Sequence, residues 1–100
     1  MLIVAGTFRF DPDRLDAVVA LQGPLMEEVR AEAGCQAYVF SNDTQEPGVQ
    51  HLFEIWDDEA SLAAHARAPH MSTYRDAMQE LGALISRKVV RYDVSEAKPL

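Results

Sequence analysis

The stretch "LIVAGTFRF", from Leu2 to Phe10, constrains the fold more than any other part of the chain. It is apolar on both alternating sets of positions until the polar Thr7 and Arg9 appear on one of them, which is the pattern of a strand covered on both faces. Leu2, Val4, Gly6, Phe8 and Phe10 share one side, while Ile3, Ala5, Thr7 and Arg9 share the other. A chain of 100 residues with 48% hydrophobic content builds one core in one domain. One face of this strand can therefore be covered from within the chain, and the other needs a cover of its own.

"DPD" after this strand opens a helix: Asp11 can cap it, and Pro12 suits its first position, where an N–H has no intrahelical partner to lose. Leu15, Val18, Val19, Leu25, Met26, Val29 and Ala33 keep a helical period up to Gly34, which suits the left-handed residue after a helix end. Pro24 removes one backbone hydrogen bond and crowds the preceding turn, so a kink or a break is predicted near Gly23-Pro24. "CQAYVFSN" and "VQHLFEIW" alternate and are rich in aromatic and β-branched residues. With the turn-forming "DTQEPG" between them they predict a hairpin with a long loop.

In the second of these strands Gln50, Leu52, Glu54 and Trp56 face one way, and Val49, His51, Phe53 and Ile55 the other. Asp57 or Asp58 can cap a short helix with Glu59 in its first turn, and Pro69 stops it. Met71, Tyr74, Met78 and Leu81 then carry a second helical piece to about Gly82. "SRKVVRYDV" reads as a final strand and "SEAKPL" as a tail, so a single domain over residues 1–94 and a tail over 95–100 are expected.

Strand, helix, strand, strand, broken helix, strand is the order of a ferredoxin-like α+β domain, a split β-α-β with its helices on one face of an antiparallel sheet. No element is left for the other sheet face. A second copy packing sheet to sheet is the simplest cover, so a homodimer is expected.

A formal charge of -7 disfavours nucleic acid and anionic membrane as partners. Arg87, Lys88 and Arg91 read as a solvated strand or interface feature rather than a phosphate site. Cys35 is the only cysteine, which excludes an internal disulfide and fits a reducing cytoplasm. "MLIVAG" has no basic segment before it and is far shorter than the ~18 residues of a spanning helix, so neither an export signal nor a membrane anchor is expected. No nucleophile motif, glycine-rich phosphate loop or dinucleotide fingerprint occurs.

"EIWDDEASLAAHARAPHMSTYRDAM", residues 54 to 78, resembles the stretch E-x-W followed by L-x-x-H-x-x-x-P-H of the antibiotic-biosynthesis monooxygenase family, nearest to its small bacterial quinol monooxygenases. "EAGCQAY", Glu32 to Tyr38, is similar to that family's helix-to-strand junction. The resemblance implies a ferredoxin-like protomer, a dimeric α/β-barrel formed from two sheets, and one pocket per protomer between sheet and helices. The family includes oxygenases that use no metal or flavin, haem-degrading enzymes and an isomerase of a phosphorylated quorum-signal sugar. Function therefore has to be argued from the site.

Trp56 matches the pocket tryptophan of the polyketide-quinone oxygenases, but the asparagine and tyrosine that accompany it there fall at Leu52 and Leu62. The haem-degrading set falls at Thr7, His65 and Arg75, none of which keeps the family residue. His65, Pro69 and His70 match both the quinol monooxygenases and the signal isomerase, and leave those two readings open.

Residue by residue, Trp56 is a candidate catalytic-site residue, serving as an apolar wall against the substrate, or else a core residue at a strand end. Glu54 is an inward carboxylate that needs a donor, whether from a substrate or from a bridge across the fold. An imidazole with an ordinary pKa of about 6.5 can accept a proton at neutral pH, which makes His65, and secondarily His70, candidates for catalysis on a phenolic or enolic hydroxyl. Each could equally cap or pack a helix. Met71, Tyr74 and Met78 form a stripe that serves either core or substrate, and Thr7 and Arg9 are candidate substrate contacts if they face inward. Arg9 could orient an anion there, or simply end a strand. His51 faces away from Glu54 and reads as structural or interfacial. His-x4-His across a proline turn is not a recurring zinc spacing, so no metal is expected, and the resemblance to oxygenases that use no metal or flavin implies no other cofactor.

Three functions compete. The first is a cofactor-independent monooxygenase taking a small hydroquinone or phenol and molecular oxygen, with His65 as base and Trp56 and the methionines as apolar walls. The second is an isomerase of a small polar or phosphorylated ketose, which needs a cationic anchor such as Arg9 or Arg75. The third is a non-catalytic dimer that binds a small aromatic ligand.

Overall fold

In the computed structural model, which describes all 100 residues, β1 spans Leu2–Phe10 and a short 3-10 turn, Pro12–Arg14, leads into α1, Leu15–Arg30. The hairpin follows as β2 (Cys35–Asn42) and β3 (Val49–Trp56), then α2 (Glu59–Arg67), α3 (Pro69–Leu81) and β4 (Leu84–Asp93). The strands form one antiparallel sheet in the order β2-β3-β1-β4, with the helices on one side, which is the ferredoxin-like α+β arrangement. Val94 N–H donates to Met1 O at 3.0 Å, and residues 95–100 form no helix or strand.

Local chemistry sets most of the boundaries. Asp11 accepts from Asp13 N at 3.0 Å, with Pro12 next to it at the start of the turn. Asp58 accepts from Ser61 N at 2.8 Å and caps α2, and the extended Ala68 before Pro69 separates α2 from α3. Gly82, with φ 64, ends α3 in the left-handed region that a side chain would disfavour. The hairpin loop is organised by Asp43, whose carboxylate accepts from Gln45 N, Glu46 N and His51 Nε2. Those hydrogen bonds hold the Asp43 carboxyl down at about 2.

Two expectations about α1 need correction, a break at Pro24 and an end at Gly34. α1 runs without a break through Pro24, because Val18 and Gln22 before it and Leu25 and Val29 after it are all buried on one face. Packing on both sides offsets the missing hydrogen bond. α1 also ends at Arg30, before Gly34; the residues between form a turn, with Gly34 at φ 81.

Register shows which strand faces meet the helices. Val4 pairs with Glu54, which pairs with Tyr38, and Phe8 pairs with Gln50, which pairs with Asn42. Leu2, Tyr38, Leu52 and Trp56 from this face join Leu25 and Val29 of α1 in the main core, while Phe10, Val18 and Ala83 form a smaller cluster. On the outer face, Val90, Ala5, Phe53 and Val39 line up across all four strands, with Tyr92, Ile3, Ile55 and Ala37 in the next row. Phe53 is 42% exposed and Tyr92 52%.

Neither α3 nor β4 contains a buried residue, although α3 carries an apolar face. The core is packed beneath α1 and left open between α3 and the β1–β4 side of the sheet.

Candidate functional site

That opening is a cavity of about 590 Å³. Its floor is sheet: Val4, Phe8 and Phe10 of β1, Leu52 and Glu54 of β3, and Val89 of β4. Its roof is Met71, Tyr74 and Met78 of α3, and His65 closes one end from α2. The helical spacing of 71, 74 and 78 places these three side chains on one face of α3. The methionine and tyrosine stripe therefore looks into open space rather than into packed core.

Glu54 and His65 form the buried polar end. Glu54 is 5% exposed, and its Oε1 accepts from Trp56 Nε1–H at 2.8 Å and lies 3.9 Å from His65 Nε2. Burial raises the Glu54 carboxyl above the ordinary glutamate range; the Trp56 hydrogen bond and the neighbouring imidazole pull it back only in part. Trp56 itself is fully buried in the main core, with its ring 4.7 Å from that of His65. It does not line the cavity, and supports Glu54 and His65 from behind.

On its other nitrogen, His65 Nδ1 lies 3.0 Å from Glu32 Oε2, and the same oxygen lies 2.8 Å from His70 Nε2. His70 sits in the first turn of α3, with Nδ1 3.3 Å from Glu28 Oε2. It lines a separate groove between α1 and α3 and does not reach the cavity. Glu32, His65 and His70 bring three ligand-type atoms within 4.8 Å of one another. The two short contacts are nevertheless those of a shared hydrogen-bond acceptor. They are closer than the roughly 3.3 Å between neighbouring donors around a tetrahedral zinc with bonds of about 2.0 Å.

Tyr74 lines both the cavity and the groove, and its hydroxyl oxygen accepts from Gln22 Nε2 at 3.3 Å. Burial raises its phenol above the usual range, so the O–H stays a donor. Gln22 and Gln50 are each 1% exposed and exchange two hydrogen bonds, at 2.7 and 2.9 Å, while Gln50 also donates to Asn42 Oδ1. Arg75, Gln79 and Arg87 add to the polar part of the wall. Arg75 donates to Ala66 O at 3.1 Å, and the Arg87 guanidinium lies 5.4 Å from the centre of the Phe8 ring.

Among the residues singled out from sequence, the structure gathers Glu54, His65, Met71, Tyr74 and Met78 around one cavity. Thr7 and Arg9 lie on the opposite sheet face, a correction to their candidate inward placement: Thr7 pairs with His51 and Lys88, and Arg9 is bound to Glu46 at 3.2 Å. The reason is strand phase, since the Leu2-to-Phe10 set is the one aligned with Glu54 and Trp56.

Sequence reasoning missed Glu32, the Gln22–Gln50 pair and Arg87. Glu32 did leave a signal, because a carboxylate just past a helix C-terminus is misplaced against the dipole unless a cationic or hydrogen-bonding partner meets it. Arg87 could have been assigned by the period-two alternation of β4, which puts it on the same face as Val89.

The family model for antibiotic biosynthesis monooxygenase matches residues 1–77. Rv0793 of Mycobacterium tuberculosis, provisionally named a monooxygenase, is 31% identical over 86 residues, which is 86% of this chain and 81% of its own. Its solved structure superposes with a TM-score of 0.82 at 28% identity, covering 97% of this chain and 98% of that one. A Deinococcus radiodurans structure, provisionally named an antibiotic biosynthesis monooxygenase, reaches a TM-score of 0.89 at 26% identity and covers 100% and 98% of the two chains. The uncharacterized Synechocystis protein sll1783 is 28% identical over 99 residues, 99% of this chain and 67% of its own. On the match over residues 1–77 and the likeness to Rv0793, this chain belongs to the antibiotic biosynthesis monooxygenase family.

Proposed function

We propose that the protein is a monooxygenase that oxidises a small hydroquinone or related phenol with molecular oxygen in the cavity beneath α3. The observation that carries this reading is an apolar cavity of ring-accommodating size whose buried end presents one imidazole and one carboxyl, His65 and Glu54. His65 Nε2 takes a hydroxyl proton, and the electron-rich ring then reduces oxygen directly. One oxygen atom becomes bonded to the ring and the other leaves as water with two of the substrate's hydrogens. The hydroquinone thus supplies all the electrons, and the protein supplies proton transfer, apolar walls and hydrogen-bond donors rather than a cofactor. The Tyr74 O–H, kept a donor by burial of the phenol, is the donor for a substrate oxygen.

The working unit in this reading is a homodimer closed over the outer sheet face, and the lone Cys35 suits the reducing cytoplasm. The test is aerobic and anaerobic turnover of a naphthohydroquinone such as menadiol by the wild type, His65→Ala and a protein-free control. A fall of about 10²-fold or more in His65→Ala is expected. Equal rates in all three would end the proposal.

A second reading draws on Arg75 and Arg87. Two guanidinium groups at the cavity wall could hold the phosphate or polar end of a small ketose, with His65 moving a proton between adjacent carbons. This isomerase would consume no oxygen, so an oxygen electrode separates the two readings.

A further inference from the structure

The cavity accounts for one nitrogen of His65, and the other has a partner that no substrate would touch. His65 Nδ1 lies 3.0 Å from Glu32 Oε2, and Glu32 is anchored from the far side by His70 Nε2 at 2.8 Å. Three elements meet here: the turn after α1 brings Glu32, α2 brings His65 and the first turn of α3 brings His70. The side chains of His65 and Glu32 are only 7% and 15% exposed, so water competes poorly for this contact.

A neutral imidazole carries one N–H, and the hydrogen bond made by one nitrogen decides the state of the other. A carboxylate can only accept, so the nitrogen facing Glu32 must carry the hydrogen. Nε2 is then the bare nitrogen, and it is the one that faces Glu54 and the cavity.

We propose that Glu32 is a positioning residue: pinned by His70, it holds His65 as the Nδ1–H tautomer and leaves Nε2 as the basic nitrogen directed at the cavity. Once Nε2 takes a proton from substrate, the ring is a cation with both hydrogens in place, and the Glu32 carboxylate lies against it. Nε2 returns that proton to the departing oxygen, so the cycle leaves His65 and Glu32 unchanged and consumes no other reactant. The arrangement follows the logic of the acid that orients a catalytic histidine in hydrolases, where an amide in place of the carboxylate lowers turnover by about 10⁴-fold. It deepens the oxygenase reading above, but its first test does not depend on that reading.

The test is nitrogen-15 NMR of the histidine rings in the wild type at neutral pH, followed by Glu32→Ala and Glu32→Gln. In the neutral form of the wild-type ring the hydrogen is expected on Nδ1 alone, and in Glu32→Ala a large share of the neutral rings is expected to carry it on Nε2. A neutral wild-type ring with its hydrogen on Nε2, or an unchanged tautomer in Glu32→Ala, would overturn the assignment whether or not any quinol is turned over. Should Glu32→Ala not fold, the wild-type spectrum still decides between the tautomers. Where quinol turnover is established, Glu32→Gln keeps the volume and loses the charge. It is expected to lower kcat by about 10² to 10⁴-fold while KM moves less than about threefold. An unchanged kcat would count against the role.

Discussion

Glu54 is held between opposed influences. Burial pushes its carboxyl up, and the Trp56 N–H and His65 offset that only in part, so the folded chain holds this proton more tightly than the unfolded chain does. Whatever stability this confers is complete below the ordinary glutamate range and is lost as pH rises through the folded-state value. Glu54→Gln cannot titrate and can still accept the indole hydrogen bond. The stability of Glu54→Gln relative to wild type should therefore rise with pH across that window. Urea denaturation midpoints from about pH 4 to about pH 8 measure it, and a difference that stays flat would show that Glu54 binds its proton no more tightly folded than unfolded.

At the scale of elements, α1 and α3 divide the labour. α1 buries Val18, Gln22, Leu25 and Val29 and makes the core, while α3 buries none of its residues and roofs the cavity. Because α1 is already unbroken at Pro24, the proline contributes a missing hydrogen bond and no compensating turn. Pro24→Ala should stabilise the protein by about 1–3 kcal/mol, read as a rise in the urea midpoint at unchanged slope. The elements were legible in the sequence because strand alternation, Asp58, Pro69 and Gly82 each act locally. What local pattern could not decide was which face of β1 the helices choose, since both sets of positions are largely apolar. That depends on pairing with β3, a contact between residues about 50 apart, such as Leu2 with Trp56, and for the same reason Thr7 and Arg9 were open to misplacement. Glu54 and His65 were visible as inward and helix-borne groups. Their convergence, and the contacts of Glu32 with His65 and His70, exist only once α1, α2 and α3 are docked.

At the scale of the molecule, 15 of 100 residues are buried, because one sheet face is uncovered and the other shelters a cavity. The apolar rows through Phe53 and Ile55 on the outer face are the surface that the proposed homodimer would bury. Placing a charge in their centre should prevent that: Phe53→Glu is expected to weaken self-association by about 100-fold or more and to leave a folded monomer. Sedimentation velocity over a concentration series would show it, and an unaltered oligomeric state would remove this face as the interface. Whether the cavity beneath α3 directs oxygen onto a quinol through His65 is tested by oxygen-18 incorporation from labelled O₂ into the product of a naphthohydroquinone, with His65→Ala beside the wild type. One labelled atom is expected in the wild-type product and background labelling in the variant. An unlabelled quinone, or equal labelling with and without His65, would contradict the proposal.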